Sequence, residues 1–450
     1  MKNLKKIGWS AVLLTALLGT TTAHAMDDAE FRSQFLSGSM DWSEVTKRAQ
    51  DEGTVNFYYW GGSDIINLWI DQVAKPALAE EGVTLNPVRI TATKDTVDVI
   101  LAQLASGKGE GEGSVDMLWV NGENFFTLKQ QGALWGSFAD KLPNSVNFEW
   151  DNADPRAQLN LSDFGTATDR MEMPWSGEQY VCAVDRAHVS QEETPATFED
   201  LKAYLEQNPG KFAYVKPPHY LGNTFVQSVL YAHNPEGTGA EPFQLSLEEL
   251  GADKLAALIE PGFAYLKEIE PLLLGGPQGN PRYPEGPSEL DNLFLNSEVH
   301  FNCKFGLYGV YAGLITGTYP ETAEEMIFPA GNMIKNKSYL AIPLNSPNSA
   351  AALVAINYFS SVASQAAMMK QAGMPAGLDT WKLAEADQAI INEAAPPHYG
   401  VTQAEFDANI APDTNASLVD VIEGTWLEVI ERGSDKPIKD VVAEVVANLK

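Results

Sequence analysis

Between residues 55 and 132, short apolar strands and helix-period segments alternate three times, and no other feature restricts the fold as much. The run "VNFYYW" (55–60) has the length and aromatic content of a buried strand. Gly61 and Gly62 interrupt it, Ser63 stands where a helix N-cap belongs, and helical spacing runs from there to about Glu81, ending at Gly82. A second strand is expected over 83–90 and a second helix over Thr96–Ala105. After the glycine- and glutamate-rich "SGKGEGEG" comes a third strand over 115–120, then the helix "ENFFTLKQQ", which stops at Gly132. Repeated β-α-β units of this kind predict a doubly wound parallel sheet covered by helices. Such sheets bind ligands at the carboxyl ends of their strands.

At 450 residues, 44% of them hydrophobic, the chain exceeds what one compact core usually supports, so two lobes are expected. The strand "KFAYV" (211–215), the loop "KPPHYLGN" and a helix from about Gly222 repeat the strand-loop-helix design in the second lobe. Residues 297–315 read as an alternating strand, a turn at Gly306 and an aromatic helix. A strand ending at Pro343 and a long helix follow, and the tail reads as two amphipathic helices.

The first 25 residues combine Lys2, Lys5 and Lys6, an apolar run from Ile7 to about Gly19, and Ala23-His24-Ala25 as a small-residue cleavage site. This is the pattern of a secretory leader. The run is shorter than the roughly 20 apolar residues of a membrane-spanning helix. A lipid anchor would need a cysteine at the cleavage point, where Met26 stands instead, so the mature protein is expected to be exported, soluble and unanchored. Losing three lysines and no acids leaves 27 basic against 60 acidic residues, which takes the net charge from −30 to −33. Nucleic acid and anionic lipid both demand a basic footprint and are not expected partners.

An exported α/β hydrolase is the competing class. No serine stands in G-x-S-x-G, and His188, His219, His233, His300 and His398 include no H-x-x-x-H pair. No C-x-x-C is present, since the only cysteines are Cys182 and Cys303. No catalytic residue, metal ligand set or cofactor motif is therefore assigned.

The segments "FYYWGG", "VDMLWVNGENF", "MPWSGEQYVCAVD" and the strand-helix run ending "SSVASQ", followed by "GMPAGLDTW", occur in an order that resembles the extracellular solute-binding proteins of bacterial ABC importers. Within that class the chain resembles the YnjB-like branch, whose members share a "WGGS" start and a "WINGENF"-type loop. The resemblance covers essentially the whole mature chain. It implies a periplasmic-binding-protein-like fold: two doubly wound α/β lobes, crossing hinge strands, and a ligand cleft that closes on a small-molecule solute before docking on an inner-membrane ABC permease. It also implies a monomer without a cofactor. The corresponding boundaries are a leader over 1–25, the first lobe over 26–178, the second over 179–303, a return to the first over 304–368, and second-lobe helices over 369–450. By the same analogy the chain crosses near Trp175–Val184 and returns near His300–Gly306, so that Cys182 and Cys303 would lie side by side within disulfide range. A ferric-ion receptor of this fold is an alternative, but such proteins carry adjacent tyrosines late in the chain, and the only Tyr-Tyr pair here is Tyr58-Tyr59.

The residues expected at the cleft are Trp60, Gly61, Gly62 and Ser63 after the first strand, and Asn121 and Glu123 after the third. Trp175 and Glu178 join them from the crossing segment, Tyr220 and Asn223 from the second lobe, and Lys304 and Tyr308 from the return segment. Trp60 is expected as a stacking platform, with Gly61-Gly62 letting the solute approach bare amides. Aromatic faces with carboxylates suit an organic cation. Lys304 and the glycine amides suit an anion, and the residues alone leave both readings open.

Overall fold

The computed structural model describes residues 26–328 and 333–449; the leader (1–25) lies outside the described residues. The strands are β1 (Thr54–Trp60), β2 (Thr84–Ile90), β3 (Met117–Val120), β4 (Ser162–Asp163), β5 (Thr166–Ala167), β6 (Glu172–Asp185), β7 (Phe301–Phe305), β8 (Ala323–Met326), β9 (Met333–Ala341) and β10 (Ile410–Ala411). Among the described residues eight of them join one sheet, ordered β2-β1-β3-β9-β6-β7, with β10 on β9 and β8 on β6. No single helix among these residues is long and apolar enough to cross a membrane.

The first lobe has the expected doubly wound form. β1 pairs in parallel with β2 and β3, and its alternation buries Val55, Phe57 and Tyr59 on one face. The long helix expected after Ser63 is present but interrupted: Asp64–Trp69 is α-helical, Ile70–Ala74 a π-turn, and Lys75–Glu80 α-helical again. Pro76, which has no N–H to donate, lies just past that turn.

In the second lobe the strand expected over 211–215 does not form a ladder. Phe212 to Val215 are buried, but their neighbours bond to three separate segments: Lys211 O accepts from His300 N, Phe212 O from Leu274 N, and Lys216 N donates to Pro284 O. The pairing there is instead antiparallel, β7 and β8 flanking the second half of β6.

β6 is the outward crossing. Its Met173 and Trp175 belong to the first core, built around Phe57, Trp69 and Phe359, while Cys182 and Val184 belong to the second, built around Phe212, Phe225, Phe301 and Trp426. The return differs from the expectation of His300–Gly306. β7 stays in the second lobe, and β9 carries the chain back, with Met333 and Ile334 in the second core and Leu340 and Ile342 in the first. The lobe boundaries shift accordingly. Val310 to Met326 pack in the second core, not the first, and Met368 to Ala394 pack in the first, not the second. Gln365 secures this last segment, its Oε1 accepting the Gly377 and Leu378 amides at 2.7 and 3.2 Å.

Cys182 and Cys303 are direct partners in the β6–β7 register and form a disulfide.

Candidate functional site

The first-lobe wall is a row of tryptophans across the carboxyl edge of the sheet. Trp60 ends β1 and meets Trp119 edge-on, with ring centroids 6.5 Å apart; Trp119 meets Trp175 edge-on at 5.0 Å. Trp60 and Trp119 are half-buried, whereas Trp175 is fully buried against Phe57, Trp69 and Phe359 and therefore backs the wall from within the core. The two glycines have a packing reason. A Cβ on Gly62 would come within 2.3 Å of the Trp60 indole, and one on Gly61 within 2.6 Å of the Arg89 side chain. The Gly61 amide is also spent, donating to Ile90 O at 3.0 Å. The expected pair of bare amides is thus reduced, and the glycines let Trp60 fold over the turn.

Ser63 and Asn121 hold backbone. Ser63 Oγ accepts from Ile66 N at 3.4 Å as the cap of the next helix. Asn121 Oδ1 accepts from Trp119 Nε1 at 3.0 Å, and its Nδ2 donates to Lys337 O at 2.6 Å, which fixes the Trp119 indole against the crossing strand.

The second-lobe wall begins at Tyr220, the first residue of the helix Tyr220–Ala232, stacked on His219 at 4.5 Å and 46% exposed. Tyr308, which packs in the first core, is buried and stacks on His398 at 5.1 Å. Lys304 is committed: its Nζ lies 2.6 and 2.8 Å from the Asp291 carboxylate oxygens. Burial alone would lower this ammonium, but Tyr319 and Asp291 hold it well above its ordinary value. It is therefore a paired cation.

Carboxylates face this wall. Glu178 of β6 accepts from Leu307 N at 3.0 Å and from Gln179 N at 3.3 Å, and burial pushes it up to about 7. Glu123 opens the helix Gly122–Gln130, raised by burial and by the Asp420 charge across the lobes. Glu423, on the helix Ala416–Trp426, accepts a hydrogen bond from Asn223 Nδ2; burial pushes it up to about 8, with the Asp420 and Glu123 charges adding to the rise. Asn223 Oδ1 is buried without a partner among the described residues. The arrangement offers negative charge and aromatic faces, and its one expected base is neutralised. Chemically it can desolvate and hold a cation.

Residues 72–390 match the family model described as bacterial extracellular solute-binding protein. The chain belongs to that family. This solute-binding protein is 30% identical to Protein YnjB of Escherichia coli (strain K12) over 390 residues, covering 86% of the chain and 93% of YnjB. Its fold is similar to an ABC transporter substrate-binding protein from Bradyrhizobium japonicum USDA 110 (16% identity, 84% of this chain and 99% of that one, TM-score 0.56). It is also similar to iron-bound HitA from Pseudomonas aeruginosa (13% identity, 82% and 98%, TM-score 0.51). It is a solute-binding receptor of ABC importers, and its fold and family are those of binding proteins.

The structure brings together Trp60 with Trp119, Glu178 with Tyr220 and Tyr308, and Glu123 with Glu423 and its partner Asn223, while Lys304 is paired with Asp291. Sequence reasoning missed Trp119 and Glu423. Trp119 stands two residues before Asn121 at the end of a strand, a position that could have flagged it. Nothing local marks Glu423, because its helix reads as an ordinary amphipathic one.

Proposed function

We propose that this receptor captures a small organic cation between its lobes and delivers it, without chemical change, to a membrane permease. Glu123, Glu178 and Glu423 carry the reading: three carboxylates from three different elements, each raised by burial, face a cleft whose lysine is already paired with Asp291. A cation entering there restores the ionised forms that burial disfavours and meets the Trp60 and Trp119 rings. We further infer export through the N-terminal leader without a lipid anchor, and action as a monomer with the two cores as its closing lobes.

Iron is disfavoured by the donors. Tyr59 lies in the first core with its hydroxyl bonded to Asn67 at 2.8 Å, and among the described residues no three His, Cys, Asp or Glu side chains converge as a metal centre of that kind requires.

A thermal-shift screen of quaternary and primary amines, sugars and organic anions, followed by calorimetric titration, tests the proposal. Binding confined to cations, with a smaller radius of gyration at saturation, supports it. Binding of an anion or sugar that survives the Glu178→Gln and Glu423→Gln changes overturns it, and turnover of chromogenic esters, glycosides or phosphates would restore the hydrolase reading.

A further inference from the structure

A second polar feature lies where the lobes meet, built from residues that the cleft does not use. The β4–β5 hairpin reaches from the first lobe to the second: Ala416 N donates to Phe164 O at 2.7 Å, and Asn415 Nδ2 donates to Gly165 O at 3.5 Å. β10 pairs with the start of β9, which brings Pro412-Asp413 alongside Asn336. Between these pieces is a cavity of about 20 Å³, lined by Ser162, Asp163, Gln244, Asn336, Tyr339 and Asp413 among others. One water-sized occupant needs roughly 10–15 Å³.

Two of its walls are carboxylates from opposite lobes. Asp163 is 2% exposed, and one of its oxygens accepts the Gly122 amide at 2.5 Å. Asp413 is 5% exposed, and its Oδ1 is buried with no hydrogen-bond partner among the described residues. A buried carboxyl oxygen without a partner is costly unless the group keeps its proton or something positive is held there, and this one lines a partly enclosed cavity. The remaining lining offers neutral oxygens: the Ser162 hydroxyl and the Gln244 and Asn336 amides.

We propose that this cavity binds one calcium ion, held by Asp163 from the first lobe and Asp413 from the second and completed by neutral oxygens. The charge decides the valence, since two carboxylates balance one divalent ion. The donor set decides the element: hard oxygens in an irregular array suit calcium, whereas magnesium demands near-ideal octahedral geometry and gives up its waters reluctantly. A site with two charged ligands is expected to be weak, with a Kd of about 10⁻⁴–10⁻³ M, in the range of extracellular calcium modules. Its consequence is mechanical, because an ion shared by the two lobes favours their approach and tightens the grip on the solute.

The test uses the full mature chain, stripped with a chelator and titrated with calcium chloride alone. Calorimetry and melting curves are expected to show one ion per chain and a rise in Tm that saturates with the same affinity. Asp413→Asn and Asp163→Asn each weaken calcium binding about tenfold or more, while their melting points in chelator are no lower than that of the parent, since a neutral amide replaces a buried acid. Glu178→Gln, which alters the solute cleft, leaves calcium binding unchanged, so this site and the cation-receptor reading fail separately. Absence of a calcium response in the parent protein at millimolar concentration, equal binding by the Asp413→Asn protein, or loss of calcium binding in Glu178→Gln each overturns the proposal.

Discussion

Glu178 of the outward crossing strand accepts a hydrogen bond from the Leu307 backbone N–H at 3.0 Å, which ties the hinge to the turn that carries Tyr308. This bond stabilises the ionised carboxylate, yet burial outweighs it and leaves Glu178 near 7. Glu423 and Asp413 follow at about 8. All three are raised acids, so the folded protein keeps protons that the unfolded chain has released. Their contribution to the stability of the solute-free protein is therefore fullest below about pH 4, falls as pH rises toward 8, and levels off above. A melting series across this range checks the sign, and Glu178→Gln should flatten the part of the slope below about pH 7.

Cation binding must run the other way. A bound cation favours the ionised carboxylates, so affinity is expected to increase between about pH 6 and pH 8, with release of protons on binding. Titration in two buffers of different ionisation enthalpy measures the protons released. Affinity that is flat over this interval would remove Glu178 and Glu423 from contact with the solute.

Lys337 of β9 reaches Asp379 at 2.8 Å and Asn160 at 2.7 Å, and both charged groups are more than nine-tenths buried. Asp379 in turn accepts from Glu149 N and Asn160 Nδ2 at 2.6 Å each. Removing one partner strands a charge that has no route to water. Asp379→Ala is expected to cost about 3–5 kcal/mol, whereas replacing Lys337 and Asp379 together by apolar residues should cost much less. Denaturant titration of the single and double variants separates the two outcomes.

The disulfide encloses a long loop, its cysteines 121 positions apart. On the loop-entropy estimate its removal costs about 5 kcal/mol, with typical losses of about 2–5 kcal/mol. Cys182→Ser with Cys303→Ser should therefore lower the melting point markedly, and reductant should then have no further effect. A melting point unchanged by both treatments would mean that the bond contributes nothing to stability.

How much of this was legible in the sequence depended on distance along the chain. β1 and the helix after Ser63 could be read because alternation and capping are local, and the Cys182–Cys303 partnership followed from a resemblance that set two strands side by side. The 211–215 segment misled, because its composition is that of a buried strand and only the tertiary structure decides that its neighbours are three loops. The return crossing was misplaced for a related reason. β7 alternates and β9 is apolar at both ends around a polar middle, and which of them changes lobes is set by what their ends pack against. Glu423 and Asp413 reach the cleft and the cavity from more than 200 residues beyond Glu123 and Asp163, and no local pattern encodes that approach.

Trp60 offers the sharpest test, because the structure supplies two independent ways to disturb it. Trp60→Ala removes a half-buried ring that touches Trp119 and the Gly62 turn but lies at the edge of the first core. Loss of a stacking face should weaken a cationic solute by roughly tenfold, about 1.4 kcal/mol. A core tryptophan would instead cost about 3–5 kcal/mol of stability. Gly62→Ala keeps the indole and displaces it, since the new methyl group would stand 2.3 Å from the ring. If Trp60 contacts the solute, both variants lose affinity by similar factors and both melt close to the parent. If Trp60 serves only the fold, Trp60→Ala melts far lower, Gly62→Ala melts lower by less, and each binds normally once folded. Calorimetry and a melting curve on the two proteins are enough to decide, and a Gly62→Ala variant that binds like the parent would show that the position of the Trp60 ring does not matter to the solute.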